Sequence, residues 1–183
     1  MVSRIKAPID VQKVIRKRRE RIETRRGYGS LLFRLVVVVI VGYLIFTQVF
    51  LLTQAQGTDM FPMVKDGDLL IVFRMQRQYS AKDIVVYQQD GRQHVGRIVA
   101  RENDVVDMDE DGSLTVNGTT QSGEILYPTY TKDGITYPYR VTAGCIFVLG
   151  DYRTEAEDSR DFGPIPMENV KGKVITILRR RGL

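Results

Sequence analysis

The chain has 183 residues, a formal net charge of +5 and one cysteine, which leaves room for one compact domain beside a membrane segment and excludes an intrachain disulfide. The positive charge is local: residues 1–34 hold eleven Lys or Arg against three acids, and residues 35–183 hold sixteen against nineteen. The bulk of the chain is therefore mildly acidic, which argues against nucleic acid as a partner, because phosphate binding needs clustered cations on the folded surface.

Residues 1–34 form a basic segment carrying Arg4, Lys6, Lys13, Arg16 to Arg19, Arg21, Arg25 and Arg26. Val11, Val14, Ile15 and Ile22 give it a thin apolar stripe at helical spacing. Such a segment binds anionic lipid or flanks a membrane span on the cytoplasmic side, and the second reading is preferred. Leu35 to Leu52, LVVVVIVGYLIFTQVFLL, is uncharged. Eighteen residues at about 1.5 Å each reach roughly 27 Å, close to the thickness of a bilayer core. The run exceeds the apolar region of a signal peptide, and no small-x-small cleavage site follows it, so residues 35–52 are read as a retained transmembrane helix. The basic flank then places the N-terminus in the cytoplasm and residues 53–183 outside the cell membrane, with the lipid bilayer as the first partner.

From residue 59 the pattern is that of strands. Leu69–Phe73, Ile84–Tyr87, Gln93–Ala100, Val105-Val106, Leu114–Val116, Cys145–Leu149 and Val174–Leu178 are short apolar or alternating runs. Asp111-Gly112 and Asn117-Gly118 are hairpin turn signals, so Asn117 is read as a turn residue and not as a glycan acceptor. Residues 120–144 are expected as an irregular loop, with helical turns near Ser80–Asp83 and Pro166–Val170. The expected fold is an all-β extracytoplasmic domain behind one N-terminal helix. Cys145, beside Ile146, Phe147 and Val148, reads as a small core residue; a reactive thiol would want a histidine, and His94 is the only one. One histidine and scattered acids show no metal-ligand spacing, so no metal and no cofactor are expected.

Three stretches stand out together. Gly57-Thr58-Asp59-Met60-Phe61-Pro62 follows the apolar run. Val95-Gly96-Arg97-Ile98-Val99 lies in the long alternating strand. Leu149-Gly150-Asp151-Tyr152-Arg153 precedes Asp158-Ser159-Arg160-Asp161-Phe162-Gly163. These resemble the motifs of the type I signal peptidases (peptidase S26): Gly-x-Ser-Met-x-Pro, Lys-Arg before apolar residues, and Gly-Asp-Asn-Arg with Asp-Ser-Arg-x-Phe-Gly. The resemblance covers roughly residues 30–180.

That family works through a serine–lysine dyad, in which a neutral lysine amine takes the serine proton. Carried over by position, the nucleophile falls on Asp59, the base on Gly96 and a lysine-holding serine on Ala156. Glycine cannot accept a proton, so the resemblance implies a pseudoenzyme with no catalytic residues. It further implies a peptide-binding cleft of Asp59, Met60, Pro62, Gly96 and Arg97, supported by Asp151, Arg153, Asp158, Ser159 and Arg160. Asp59 beside Asp151 or Asp158 could form a proton-sharing pair, but ion pairing of those acids with Arg97 and Arg160, as the resemblance implies, is preferred. Backbone pairing of an extended peptide needs no dyad. Asp59 in an acidic domain would favour a basic or polar partner.

The chain is most similar to the catalytically degenerate signal-peptidase-like proteins of Gram-positive pilus gene clusters. That similarity implies a binding or chaperone role for secreted or pilin-type clients, alongside a sortase. The alternatives are an active type I signal peptidase that cleaves pre-proteins with unconventional residues, and a purely structural anchor.

Overall fold

The computed structural model describes residues 11–121 and 126–179, with side chains from residue 28 onward. It divides into two units, residues 1–46 and residues 47–183.

In the first unit the backbone is one long helix, α1 (Val11–Val49), which runs on into the start of the second. Within its last 22 residues, Tyr28–Val49, an 18-residue window has a mean hydropathy of 2.4 and none of that window is buried. A helix of that length and composition can cross a membrane. The side chains of Val11, Val14, Ile15 and Ile22 lie outside the described residues. The expected span of residues 35–52 is corrected at its end. The helix stops at Val49, and Phe50, Leu51 and Leu52 belong to the first strand, β1 (Phe50–Gln54). The cause is pairing: β1 runs antiparallel to β2 (Leu69–Phe73), Phe50 opposite Phe73 and Leu52 opposite Ile71. The Arg74 N–H extends that ladder to the Val49 carbonyl, at 2.9 Å.

The second unit is mostly β. Its remaining strands are β3 (Ile84–Gln89), β4 (Arg92–Arg101), β5 (Val105–Met108), β6 (Leu114–Val116), β7 (Thr119–Thr120), β8 (Tyr139–Arg140), β9 (Cys145–Leu149), β10 (Ile165–Pro166) and β11 (Val170–Leu178). A short helix, α2 (Ser159–Phe162), and a 3-10 turn at Met167–Asn169 complete it. The expected helical turn at Ser80–Asp83 is instead a hydrogen-bonded loop in which Ser80 N–H donates to the Asp83 carboxylate.

Seven strands form one sheet in the order β1-β2-β11-β3-β4-β9-β10, and four form a second in the order β7-β6-β5-β8. The expected hairpin at Asn117-Gly118 joins β6 to β7. Both residues have positive φ, 51° and 76°, the conformation a two-residue hairpin turn needs. The Asn117 side chain is tied to Val105 N–H and to Asp104.

Strand alternation sorts the side chains into three clusters. Val99, Ala100, Phe147 and Leu149 pack with the second sheet through Val106, Met108, Leu114 and Val116. Tyr87, Ile98, Ile146, Val148 and Ile165 form the second cluster. The third cluster holds Ala55, Met60, Val64, Leu70, Val72 and Val86, with Leu51 and Val95 against it. This third cluster shows that the large sheet curls: residues of β1 and β4, four places apart in the ladder, cover the same core.

Candidate functional site

The curl brings two unpaired strand edges together. β1 ends the sheet order, so one of its edges has no partner strand. Residues 92–96 of β4 pair with β3 only, because β9 joins β4 from Arg97 onward. Between these edges the Gln93 amide donates to Thr53 Oγ1 at 2.6 Å. The two walls of a groove are thus in contact at one point.

Asp59 lies beyond the end of β1, in the turn that follows Gly57. Gly57 has φ of 82°, and its N–H donates to Asp66. The Asp59 carbonyl accepts the Tyr152 N–H at 2.9 Å, which fastens this turn to the segment after β9. The Asp59 carboxyl is half-buried. Burial pushes its pKa above the usual 3.8, opposed by a hydrogen bond from the Glu157 backbone and by His94, and reinforced by the nearby Asp158 and Glu157 charges. Ala156 is fully buried, and a Cβ placed on Gly150 would overlap both its methyl group and the Asp59 carbonyl. Asp59, Gly150 and Ala156 are therefore in one close-packed group.

Gly96 faces the interior, and its surroundings are full. A Cβ there would collide with Val148 Cγ1 and stand 3.3 Å from Tyr87 Cε1 and 3.4 Å from the Leu149 carbonyl oxygen. The ring of Tyr87 stacks on His94 at 5.5 Å, and both rings lie near Phe162, at 6.3 and 5.8 Å. Burial raises the Tyr87 pKa, helped by Asp158, Asp59 and Glu157. Two of these residues were missed in the sequence. His94 was detectable, since positions 94 and 96 share a strand face. Tyr87 was not, because only the β3–β4 register places it opposite His94.

Three expected cleft residues lie elsewhere. Adjacent strand residues point to opposite faces, so Arg97 does not share the face of Gly96. Arg97 and Pro62 instead line a separate cavity of about 410 Å3, with Phe61, Met63, Lys65 and Asp151. Met60 is 3% exposed and belongs to the third core cluster.

The acid-rich segment after β9 is a framework of buried charge. Arg97 forks the Asp151 carboxylate through Nε and Nη2, both at 2.7 Å. Arg160 forks Asp158 in the same way, at 2.9 and 2.8 Å. Asp158 also caps α2 and accepts the Gly150 N–H at 3.0 Å. Ser159 Oγ accepts the Val148 N–H at 3.0 Å, so this hydroxyl is a buried support for β9. Arg153 donates Nη1 to Thr129, while its Nε and Nη2 have no hydrogen-bond partner among the described residues. Burial lowers its pKa to about 10. A lysine does arrive from elsewhere in the chain: Lys132 Nζ donates to the Ala156 carbonyl at 2.7 Å. It is held in an ion pair with Asp161 at 2.6 Å. Among the described residues no cluster of His, Cys, Asp or Glu could hold a metal.

Residues 28–178 match the family model "Signal peptidase, peptidase S26". The chain is 31% identical over 135 residues to signal peptidase I of Bacillus caldolyticus, covering 65% of this chain and 74% of that one. It is 29% identical over 152 residues to signal peptidase I of Bacillus licheniformis, covering 75% and 81%. It is also 29% identical over 135 residues to thylakoidal processing peptidase 1 of Arabidopsis thaliana, of whose length it spans 39%. A crystal structure of a signal peptidase I from Enterococcus faecalis superposes with a TM-score of 0.46 at 24% identity, over 55% of this chain and 98% of that one. These likenesses overturn the expectation of a pseudoenzyme: the relatives are named as peptidases, and the residue types at 59, 96 and 156 do not by themselves demonstrate a loss of activity. With the match spanning the apolar helix and the β domain alike, the chain belongs to the signal peptidase family, peptidase S26.

Proposed function

We propose that this protein is held at the cell membrane by α1, with its basic N-terminus in the cytoplasm and its β domain outside. There it takes an extended segment of a secreted or pilin-type client as an added strand between β1 and β4. The observation that carries the reading is the pair of edges, residues 51–54 and 92–96, that among the described residues pair with one strand only and are linked by the Gln93–Thr53 hydrogen bond. Free edges in a concave setting are the requirement for strand addition, and backbone pairing supplies affinity without any particular side chain. The pilin-type client and an accompanying sortase follow from the likeness to pilus-cluster proteins and are part of the proposal. Hydrogen exchange on the full chain in detergent micelles tests it. Amides of 51–54 and 92–96 that face the groove exchange fast in the free protein and become protected when an extended client peptide binds. Binding without that protection refutes strand addition.

A second reading, cleavage of the bound segment, is supported by the peptidase names of the relatives and by the half-buried Asp59 carboxyl with His94 in electrostatic reach. Pre-protein processing by the full chain in lipid vesicles, lost in Asp59→Ala, is the expected result under this reading. Processing that persists in Asp59→Ala removes Asp59 from the chemistry.

A further inference from the structure

The two walls of the groove run in the same direction. Four antiparallel pairings in succession, β1–β2, β2–β11, β11–β3 and β3–β4, make β4 parallel to β1. Gln54 and Gly96 therefore lie at the same end of the groove, and beyond that end the chain builds a cavity. Arg97 follows Gly96, and Phe61, Met63 and Lys65 follow the Gly57 turn; all four line the space of about 410 Å3 described above. The turn is fastened to the segment that supplies Asp151 to the same space. Tyr152 N–H donates to the Asp59 carbonyl at 2.9 Å, and the Phe61 and Tyr152 rings meet at 6.1 Å.

The charge in this cavity is one-sided. Among the described residues, three cations, Lys65, Arg97 and Arg179, line it with a single acid, Asp151. Arg97 and Asp151 neutralise one another in their fork at 2.7 Å, and Arg97 Nη1 donates to the Lys82 carbonyl at 3.1 Å. Lys65 and Arg179 make no ion pair among the described residues. The acids beside Lys65 in its own turn serve the backbone instead: Asp66 accepts the Gly57 N–H at 2.9 Å, and Asp68 accepts the Lys65 N–H at 3.0 Å. Two unbalanced cations thus share a concave space in a domain whose overall charge is negative. Phe61, Met63 and Leu126 supply its apolar wall. A carboxylate carried on one or two methylene groups suits that lining. The methylenes lie on the apolar wall, and the head reaches a lysine, which acts as a point charge, and an arginine, which offers a fork. The volume is that of a small-ligand pocket, ample for one side chain.

We propose that this cavity takes an aspartate or glutamate side chain of the bound peptide, carried just beyond the stretch held between β1 and β4, with Lys65 and Arg179 as its counter-charges. The inference rests on the strand-addition reading and adds to it a substrate class and a direction: the acid lies on the side of the peptide that leaves the groove past Gln54 and Gly96.

The test uses the full chain in detergent micelles and a twelve-residue alanine-glycine peptide carrying a fluorophore. One glutamate is walked through each position, and glutamine, its neutral analogue, is the reference. Fluorescence anisotropy gives Kd for each. In one half of the peptide only, glutamate should bind about tenfold tighter than glutamine, the weight of one charge-assisted contact. Lys65→Gln and Arg179→Gln should each weaken that preference and together abolish it, with glutamine affinity unchanged. Arg77→Gln, which removes one charge from an exposed loop past the other end of β2, should keep it. A preference that survives the double change, one that is equal in both halves, or none at any position while peptides still bind, overturns this inference alone. Failure of every peptide to bind overturns the strand-addition reading beneath it.

Discussion

Replacing Gly96 by alanine measures how tightly β4 is packed against its neighbours. The new methyl group would collide with Val148 Cγ1, and Tyr87 Cε1 stands 3.3 Å away. Val148 is 0% exposed, and a β-branched side chain is stiff at χ1, so it cannot turn aside cheaply. Overpacking of this kind costs about 1–3 kcal/mol. Against it, alanine in a strand regains about 0.5–1 kcal/mol of the entropy that glycine loses on folding. The net expectation is a loss of about 1–2 kcal/mol. In a domain of this size each kcal/mol moves Tm by roughly 3–5 °C, so Tm should fall by about 3–10 °C. Thermal unfolding of the full chain in micelles, followed by circular dichroism, reads this directly. Val148→Ala removes the colliding atom. The double variant should therefore be about 1 kcal/mol or more better than the sum of the two single changes. An unchanged or raised Tm in Gly96→Ala, or strict additivity with Val148→Ala, would show that the space is open and refute the packing described here.

Two further outcomes follow from the charges. Asp158→Ala strands the Arg160 guanidinium, 1% exposed, and deprives the Gly150 N–H and the α2 N-terminus of their acceptor; about 3–5 kcal/mol should be lost, read as a lowered urea midpoint. Asp59 acts in the opposite sense. Its folded pKa is raised by burial, so its contribution to stability is complete below the ordinary 3.8 and is lost as pH rises through the folded value. Asp59→Asn should thus match the parent protein in acid and become progressively more stable than it above that window, in melts taken from pH 3.5 to 7. A pH-independent difference would refute the burial argument.

Much of the fold is legible in the sequence because the strands are apolar runs, β3 and β9 buried almost throughout and β2 buried on one face. LLIVF, IVVY and CIFVL are continuous apolar runs bounded by turn residues, and each is a strand. Asn117-Gly118 announces its hairpin because only such residues adopt positive φ without strain. The end of the membrane helix is not legible. Val49-Phe50-Leu51-Leu52 has no glycine, proline or charge to mark a boundary, and only pairing with Leu69–Phe73 turns the last three into a strand. The separation of Arg97 from Gly96 follows from strand alternation alone, and so does the company of His94 with Gly96. The Lys132–Asp161 pair and the Tyr87 ring depend on register and on contacts across 29 and more residues, which no local pattern carries. The expectation about activity failed for another reason: three positions were made to speak for a whole chain whose relatives are named as peptidases.

The groove has an unusual mechanical property. Its walls are two strands of one ladder, joined the long way round through β2, β11 and β3. It behaves like the gap in a split ring, whose width is set by the accumulated coil of the band together with the Gln93–Thr53 bond across the opening. β11 carries register shifts at Val170/Gly172 and at Val174/Thr176, and irregularities of this kind add local twist. The aperture is therefore tuned from the far side of the sheet, where Gly172 lies so close to the Phe73 carbonyl that no larger residue fits without prising the ring apart.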